Sequence, residues 1–571
     1  MAVGFAILIL FLVAGIRHAI AFTQNFELAA LPLYPVRKGD EISMIAFPKT
    51  TRRFFLEGLI ASAGLNSLGV TVRGTPRLRF GVVSDIHFTT SNTDQYFLNA
   101  ITWFRSQNVD AVMITGDLAD TGQYTELERV AACWYQVFPN DTGLNGRHVE
   151  KLFIYGNHDY EGWTYNASLT EQRRPYALIN DWPGYWETYF HEPFQPVYSK
   201  TIKGYTFIGM HWGKQTEMRE FVAQLAPTLP TDRPFFFFQH AHPWNTIYGE
   251  WAWGAWDDKK AATESLTPYP QAVAFSGHSH YSLTDERGIW QGAFTSLGTA
   301  STRYIGHPYG PENAGTDNSA LDLHMPRMND SYPQGMLVSV YHDVMVIARR
   351  EFAYGESVGP DWVVPLPTLD QPDRPFSFAP RAAVSYAPQF AANATVTLTQ
   401  RTGTTRKGKS EQQVVVGFPR ALFHDYRDRI YTYEVTVEIL RYQTVIPYRT
   451  KTVYAEKYFL SDDRIAASGT LVFGVNELPA NEKIRFAVRP QNCFGKTGAP
   501  IYSAVIDSPG TKGENPPQGA SEKTSAAISV HDHAASSETK TGRDADSRTV
   551  ETDYAYFSDT RLDPGISILI K

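Results

Sequence analysis

The chain has 571 residues and a formal net charge of −7. Its length allows more than one domain and a large buried core. Its acidic balance argues against nucleic acid as a bulk partner, because binding to a phosphate backbone needs a basic face. Cys133 and Cys493 are too few for a disulfide framework, and we expect them to be free thiols in different domains.

Two segments near the N-terminus are typical of targeting sequences. Residues 1–22 are largely apolar, but they contain Arg17 and His18 and lack a basic start, which weakens their interpretation as a signal or anchor helix. Thr51-Arg-Arg-Phe-Phe-Leu56, followed by mildly apolar residues 58–70, resembles a bacterial twin-arginine export signal. We expect residues 44–76 to be this signal or a membrane anchor. If translation starts at Met44, the leader over residues 1–43 is not part of the natural protein.

Five short apolar runs between residues 78 and 280 each end in Asp, Asn or His. With their polar endings they cover residues 78–87, 111–117, 152–159, 235–240 and 272–280. Apolar residues recur at helical spacing after the first and second runs, over residues 96–104 and 127–138. Alternating strands and helices predict βαβ units, whose ligands collect at the carboxyl ends of the strands.

The endings of these runs carry metal-ligand chemistry. Side chains two residues apart on an extended chain point the same way, so Asp85 and His87 leave the first strand together. A carboxylate and an imidazole are suitable ligands for a divalent metal. One such pair is a weak signal, but five strands with the same kind of ending predict a metal centre.

The ordered set of motifs resembles the calcineurin-like metallophosphoesterase family. The motifs are Asp85-x-His87, Gly116-Asp117, Gly156-Asn157-His158-Asp159, His240 and Gly277-His278-x-His280. The resemblance implies an α/β fold over residues 77–355, in which two mixed sheets form a sandwich flanked by helices. It also implies two metal sites that share Asp117. The ligands are Asp85, His87, Asp117 and His280 for one metal, and Asp117, Asn157, His240 and His278 for the other.

The resemblance assigns chemistry to this centre. Two divalent ions, drawn from Mn, Fe, Zn and Ni, would lower the pKa of a bridging water, and the resulting hydroxide would attack the phosphate ester. His158 would protonate the leaving oxygen or bind the charged transition state, and Asp159 would orient His158. The purple acid phosphatases of this family carry Tyr three residues after the bridging Asp. Here that residue is Asp120, so we do not expect a purple ferric site.

Several residues near the motifs leave alternatives open. His242 competes with His240, which we prefer because it follows the Phe run directly and because His-x-x-Pro243 fits the family spacing. His211 matches no motif, and we expect it to be structural. Aromatic residues between the last two motifs and after Asn157 fit either core packing or a wall beside the leaving group. They are Trp244, Trp251, Trp253, Trp256, Trp163 and Tyr165. Substrate-binding residues are otherwise unknown.

The C-terminal part of the chain changes character. Residues 356–380 are rich in proline and predict a semi-rigid linker. Residues 381–508 contain alternating strand patterns, and their last third resembles a fibronectin type III or similar all-β sandwich. No motif residue lies there, so we expect this region to be dispensable for chemistry. Residues 509–571 have the composition of a mostly disordered tail.

These observations together predict an exported, metal-dependent phosphoesterase acting on phosphomonoesters or phosphodiesters. We expect it in the periplasm or at the cell surface, free or held by an N-terminal membrane anchor. Its partner is a phosphate-ester substrate and not nucleic acid, and its oligomeric state is open. One alternative is a surface-binding protein that uses the β-sandwich and carries an inactive phosphoesterase-like domain. The other is an exported nuclease, against which the acidic charge argues.

Overall fold

A computed structural model describes residues 35–38, 41–44 and 74–510, with gaps in the last range at 90, 252–257, 308–309, 312–315, 319–321, 326–331, 367–373, 406–407, 456–457, 459–463 and 465. The chain divides into two compact units, Met1–Thr71 and Val72–Lys571. In the first unit, β1 (Pro35–Lys38) and β2 (Glu41–Met44) pair antiparallel. The targeting segments, the last 61 residues (511–571), and Trp253 and Trp256 lie outside the described residues.

The second unit begins with a helix-and-strand region that follows the predicted alternation. Its strands are β3 (Leu78–Val83), β4 (Ala111–Thr115), β5 (Glu150–Ile154), β6 (Val197–Ile202), β7 (Tyr205–Met210), β8 (Phe235–Phe238), β9 (Ala272–Ser276), β10 (Ile289–Gln291) and β11 (Thr295–Gly298). Its helices are α1 (Ser91–Ser106), α2 (Tyr124–Val137), α3 (Asn157–Glu161), α4 (Thr170–Arg173), α5 (Trp182–Phe190), α6 (Gln215–Leu225) and α7 (Ala261–Leu266).

Shorter strands and a closing hairpin follow. They are β12 (Gly306–His307), β13 (Gly310–Pro311), β14 (Thr316–Asn318), β15 (Leu323–Met325), β16 (Gln334–Val340), β17 (Val344–Glu351), β18 (Glu356–Ser357) and β19 (Trp362–Pro365). The closing hairpin is formed by β16 and β17, which pair antiparallel.

Two mixed sheets face each other in this region, as predicted. One has the strand order β18-β17-β16-β3-β4-β5, with β19 also paired to β17, and the other has the order β10-β11-β9-β8-β7-β6. The sheets pack through aromatic rings: Phe80 on β3 makes edge-to-face contacts with Phe207 and Phe236 of the opposite sheet at centroid distances of 5.2 and 5.0 Å. The predicted α/β fold with two mixed sheets and helices is therefore confirmed.

Strands dominate the C-terminal region, as the alternating patterns there predict. It contains α8 (Phe378–Val384), β20 (Thr397–Thr404), β21 (Ser410–Pro419), β22 (Ile430–Arg441), β23 (Thr444–Tyr454), β24 (Ser468–Gly474), β25 (Ala480–Asn492), β26 (Ile501–Tyr502) and β27 (Ile506–Pro509). A three-stranded sheet, β20-β21-β24, lies beside a seven-stranded sheet of order β14-β15-β23-β22-β25-β26, in which β27 also pairs with β25. Thus β14 and β15, from the first region, join the C-terminal sheet.

Two details differ from the patterns in the sequence. Residues 356–365, assigned there to a linker, form β18 and β19, and both strands pair with β17. The single apolar run at residues 501–506 is split into β26 and β27, with Ser503 between them accepting a hydrogen bond from the Phe486 backbone at 2.9 Å.

Cys133 and Cys493 are buried free thiols, as expected. Among the described residues, no helix has the length and apolar character needed to cross a membrane.

Candidate metal centre

The five predicted motifs converge at one place between the two sheets. β3, β4 and β5 deliver Asp85, Asp117 and Asn157 from one sheet, and β8 and β9 deliver His240 and the His278 loop from the other. Three overlapping groups of metal-binding atoms form there, each with its atoms within 4.8 Å of one another. The first is Asp85, His87, Asp117 and His280, the second is Asp117, His240 and His278, and the third is His87, Asp120 and His158. The first two groups share Asp117, as the resemblance implies.

Short contacts connect the first group. The Nε2 atom of His280 lies 3.0 Å from Oδ1 of Asp85 and 3.1 Å from Nε2 of His87. The Nε2 atom of His87 lies 3.6 Å from Oδ2 of Asp117. All four side chains are almost fully buried, so the group is a compact set of two carboxylates and two imidazoles beneath the surface.

Asp117 connects the first group to the second. Its Oδ2 atom lies 3.1 Å from Nε2 of His240, and its Oδ1 atom accepts a hydrogen bond from the His158 backbone at 2.9 Å. The His278 backbone donates to both carboxylate oxygens of Asp85 at 3.2 and 3.1 Å. Each carboxylate is therefore fixed by a backbone N–H from another motif.

The backbone at the motifs is unusual. Five of the predicted ligands have positive φ, an uncommon conformation for residues other than glycine: Asp85, His87, Asp117, His278 and His280, with φ between 50° and 71°. A methyl group added to Gly156 would collide with the Asp117 carboxylate and the His240 ring, and one on Gly277 would collide with Ser84 and Asp85. Strain and close approach of this kind concentrate at functional sites.

The ring nitrogens of three histidines are divided between protein and cluster. The Nδ1 atom of His240 bonds to the carbonyl of Thr115 at 2.8 Å, that of His280 to the carbonyl of Tyr304 at 3.1 Å, and that of His87 to Asp120 at 2.9 Å. A carbonyl or carboxylate at Nδ1 fixes the proton on that nitrogen and leaves the Nε2 lone pair toward the cluster.

This arrangement fits bound metal ions. The lone pairs of His87 and His280 face each other at 3.1 Å, and they repel unless a proton or a metal ion lies between them. Two further atoms, Nε2 of His240 and Oδ1 of Asn157, are buried without a hydrogen-bond partner. Buried polar atoms are normally paired. Carboxylate oxygens with imidazole nitrogens are suitable donors for divalent transition metals.

The charges of the cluster shift its protonation. Burial alone would lower the pKa of His87, but hydrogen bonds to Asp120 and Asp85 and the charge of Asp117 raise it to about 10. The pKa of His240 is raised to about 9, because Asp117 and Asp85 outweigh burial. The neighbouring histidines hold the pKa of Asp117 well below its usual range against the effect of burial. The metal-free cluster therefore holds protons where cations are expected.

Asp120 is a residue of the site that the sequence analysis did not assign. Its Oδ1 atom accepts from Nδ1 of His87 at 2.9 Å and forms an ion pair with Arg303, and its backbone carbonyl bonds to Nδ1 of His158 at 2.7 Å. The spacing Gly116-Asp117-x-x-Asp120 was a usable signal, because a second carboxylate three residues after the bridging one stays at the same strand end.

Asp159 makes different contacts from those expected. Its carboxylate accepts backbone hydrogen bonds from Leu118, Ala119 and Gly156 at 3.1, 2.6 and 2.7 Å. It therefore ties the loop after Asp117 to the loop before Asn157. Burial and the charge of Asp117 raise the pKa of Asp159 to about 8, although these hydrogen bonds act in the opposite direction. The contact that orients the His158 ring comes from the carbonyl of Asp120.

The structure also places the alternative histidines. Both ring nitrogens of His242 are engaged, with Ser276 and Ser279, each at 2.7 Å. This geometry favours His240 as the ligand. His211 is buried, and its Nδ1 atom accepts from the Tyr155 backbone at 3.0 Å, which is a structural contact.

Aromatic rings surround the cluster. Trp212 lies 5.8 and 5.5 Å from the rings of His240 and His278, Tyr304 lies 4.2 Å from His280, and Tyr165 lies 4.8 Å from His158. Trp212 and Tyr304 were not assigned by the sequence analysis. Trp244 packs under Lys260, with the Lys260 ammonium 4.2 Å from its ring centroid. The Trp251 side chain, like Trp253 and Trp256, lies outside the described part.

The sequence model of one protein family, described as calcineurin-like phosphoesterase, matches residues 78–282. Residues 78–282 form a calcineurin-like phosphoesterase domain. This phosphoesterase domain contains every predicted ligand. The family match and the shared Asp/His cluster together indicate phosphoesterase activity and binding of two divalent metals. A comparison with curated protein sequences gives no match.

Solved structures that resemble part of this chain share little sequence with it. A dimetal phosphatase from Danio rerio is 13% identical, with 50% of this chain and 98% of that chain covered and a TM-score of 0.28. The purple acid phosphatase PPD1 from yellow lupin seeds is 14% identical, with coverages of 50% and 53% and a TM-score of 0.33. A predicted phosphoesterase from Streptococcus pneumoniae is 12% identical, with coverages of 52% and 99% and a TM-score of 0.25.

Proposed function

We propose that this protein is an exported two-metal phosphoesterase that hydrolyses phosphomonoesters or phosphodiesters. The observation that carries the proposal is the shared carboxylate: Asp117 belongs to the first and the second group of metal-binding atoms. A carboxylate has two oxygens and can therefore bridge two cations, as in two-metal hydrolytic sites. Mn, Fe, Zn and Ni all suit this mixed oxygen and nitrogen donor set.

The protein side chains set the charge and position of the reaction. Two divalent ions held here would supply positive charge for the phosphoryl oxygens and lower the pKa of a water molecule between them. Because Asp85 and Asp117 contribute two negative charges, about two positive charges would remain, which suits an anionic ester better than a neutral one. Asp120 and Arg303 form an ion pair beside the cluster and neutralise each other.

His158 is the proposed general acid. Its side chain is 18% exposed, so a substrate can reach it, and its Nδ1 atom lies 3.8 Å from the Asp120 carboxylate. With Nδ1 bonded to the carbonyl of Asp120 at 2.7 Å, its Nε2 atom is left for the leaving-group oxygen. A proton held there would neutralise the charge that develops as the ester bond breaks.

A direct test uses the purified full chain. Metal analysis should find two divalent ions per chain, and hydrolysis of p-nitrophenyl phosphate or bis-p-nitrophenyl phosphate should depend on them. The ratio of the two rates assigns monoesterase or diesterase activity. A chain that holds two metals and cleaves neither ester would instead support the surface-binding alternative.

Export is proposed from the Thr51-to-Leu56 segment, which lies outside the described residues. A twin-arginine route carries folded proteins, so metals could be loaded in the cytoplasm before transport. Arg52→Lys with Arg53→Lys keeps the charge but loses the paired guanidinium groups. We expect the double variant to accumulate in the cytoplasm of a bacterial host with its metals bound. Unchanged periplasmic or surface localisation would contradict this route.

A further inference from the structure

The amide of Asn157 has two ends with different surroundings. Its Nδ2 atom donates a hydrogen bond to the hydroxyl of Tyr165 at 2.9 Å. Its Oδ1 atom is buried and has no hydrogen-bond partner. Only the oxygen of an amide can bind a metal, since the nitrogen carries two hydrogens and no free lone pair. The orientation of the amide therefore decides whether Asn157 is a ligand.

A short chain of hydrogen bonds fixes this orientation. The Tyr165 hydroxyl donates its single hydrogen to Oε1 of Glu161 at 2.9 Å. Because that hydrogen is used, the hydroxyl can only accept from Asn157, and the group that faces it must be the amide nitrogen. If the hydroxyl had no carboxylate partner, it could donate to the amide oxygen and hold Asn157 in the reverse orientation.

Local structure places the three residues together. α3 begins at Asn157 and ends at Glu161, so the two side chains lie one helical turn apart on one face. A short 3-10 turn, Gly162–Thr164, then brings back Tyr165, which is half-buried. The Tyr165 ring also packs edge-to-face on His158 at 4.8 Å. Tyr165 thus contacts both a proposed ligand and the proposed general acid.

We propose that Tyr165 and Glu161 are positioning residues that hold the Asn157 amide with its oxygen toward the second metal site. This inference rests on the proposed two-metal function, because it requires a cation beside Asp117, His240 and His278. It extends that function to residues outside the five motifs. It also gives Tyr165 a role different from that of a substrate wall.

The test is calorimetric titration of the metal-free full chain with Mn²⁺ alone. For Tyr165→Phe, which keeps the ring against His158, we expect one of two Mn²⁺ sites to weaken by about 10–100-fold, as is usual when a partner of a ligand is removed. The thermal unfolding midpoint of the metal-free protein should stay unchanged. Tyr160→Phe is the matched control, because this neighbouring side chain is 37% exposed and should keep both affinities.

Rescue separates orientation from general damage. Asn157→Asp presents a carboxylate oxygen in either orientation, so the double variant with Tyr165→Phe should regain most of the lost affinity. Glu161→Ala should weaken the same site as Tyr165→Phe. Equal affinity of wild type and Tyr165→Phe, or a loss that Asn157→Asp does not rescue, would overturn the inference. If the wild type itself binds fewer than two Mn²⁺ ions, the proposed function fails instead.

Discussion

The hydroxyl of Tyr281, the residue after His280, lies 3.4 Å from the hydroxyl of Tyr431 on β22. Both side chains are buried. The guanidinium of Arg287 lies against two tyrosine rings, 3.5 Å from the ring centroid of Tyr248 and 4.7 Å from that of Tyr431. Arg287 also pairs with Asp285 at 2.6 Å. The loop that carries the last metal motif is therefore packed directly against the C-terminal sheet.

This contact changes the expected effect of truncation. Residues 381–508 were expected to be dispensable for chemistry, but their removal would expose Tyr281 and the Asp285–Arg287 pair. It would also delete β23, one of the two strand partners of β15. Each large side chain exposed costs about 1.5–3 kcal/mol. We expect a chain ending at Pro380 to be largely insoluble. A chain ending at Gly510, which keeps every described contact, is the control. High yield and normal turnover of the shorter chain would show that the two regions fold independently.

Asp117 and His280 provide the sharpest test of the metal centre. Asp117→Asn removes the charge shared by the two groups, and His280→Ala removes the imidazole 3.0 Å from Asp85. We expect each variant to lose metal and its kcat/KM to fall by more than about a hundredfold. This loss should exceed that caused by removing a hydrogen-bond partner of a ligand. The thermal midpoint of the metal-free protein should change little. Asp232→Asn, at a side chain that is 70% exposed, is the control. Two bound metals in Asp117→Asn would contradict the bridging assignment.

The strands and the ligand set could be predicted because their signals are local. Each ligand sits beside its own apolar run, and Gly116, Gly156 and Gly277 mark places where the backbone approaches another motif. Contacts between distant parts of the chain had no such signal. Asp120 and Arg303 are 183 residues apart, and Tyr281 and Tyr431 are 150 apart. Nothing in a single sequence connects such pairs.

The proline content of residues 356–365 did not predict the strands β18 and β19. A proline is tolerated on an edge strand, where its missing N–H faces away from the ladder. β19 ends at Pro365 and pairs only with β17 among the described strands. A proline-rich composition is therefore compatible with a sheet edge as well as with a linker, and pairing decides between them.

Asp120 is predicted to act on metal binding through His87. Asp120→Asn keeps the backbone carbonyl that holds His158 but removes the charge that faces His87 and Arg303. We expect about 10–100-fold weaker metal binding and a similar loss in turnover, since partners of metal-binding histidines have effects of this size. Arg303→Ala, which removes the competing cation, should have a smaller effect. Metal titration of both variants checks the order, and a larger loss for Arg303→Ala would reverse the assigned roles.

His307 should make the protein less stable in acid. It is buried on β12, and burial lowers its pKa to about 3 from an unfolded value of 6.5. Between these values the unfolded chain binds a proton that the folded chain does not. The free energy of unfolding therefore falls as the pH drops from about 6.5 toward 3, and one such group accounts for about 2 kcal/mol by pH 5.

Urea unfolding of the chelator-treated protein at pH 7 and pH 5 measures this difference. His307→Gln, which cannot titrate, should reduce the pH-dependent loss by about that amount. His148→Gln, at a side chain that is 55% exposed, is the control and should leave the loss unchanged. If the wild type and His307→Gln lose equal stability, the acid sensitivity arises elsewhere.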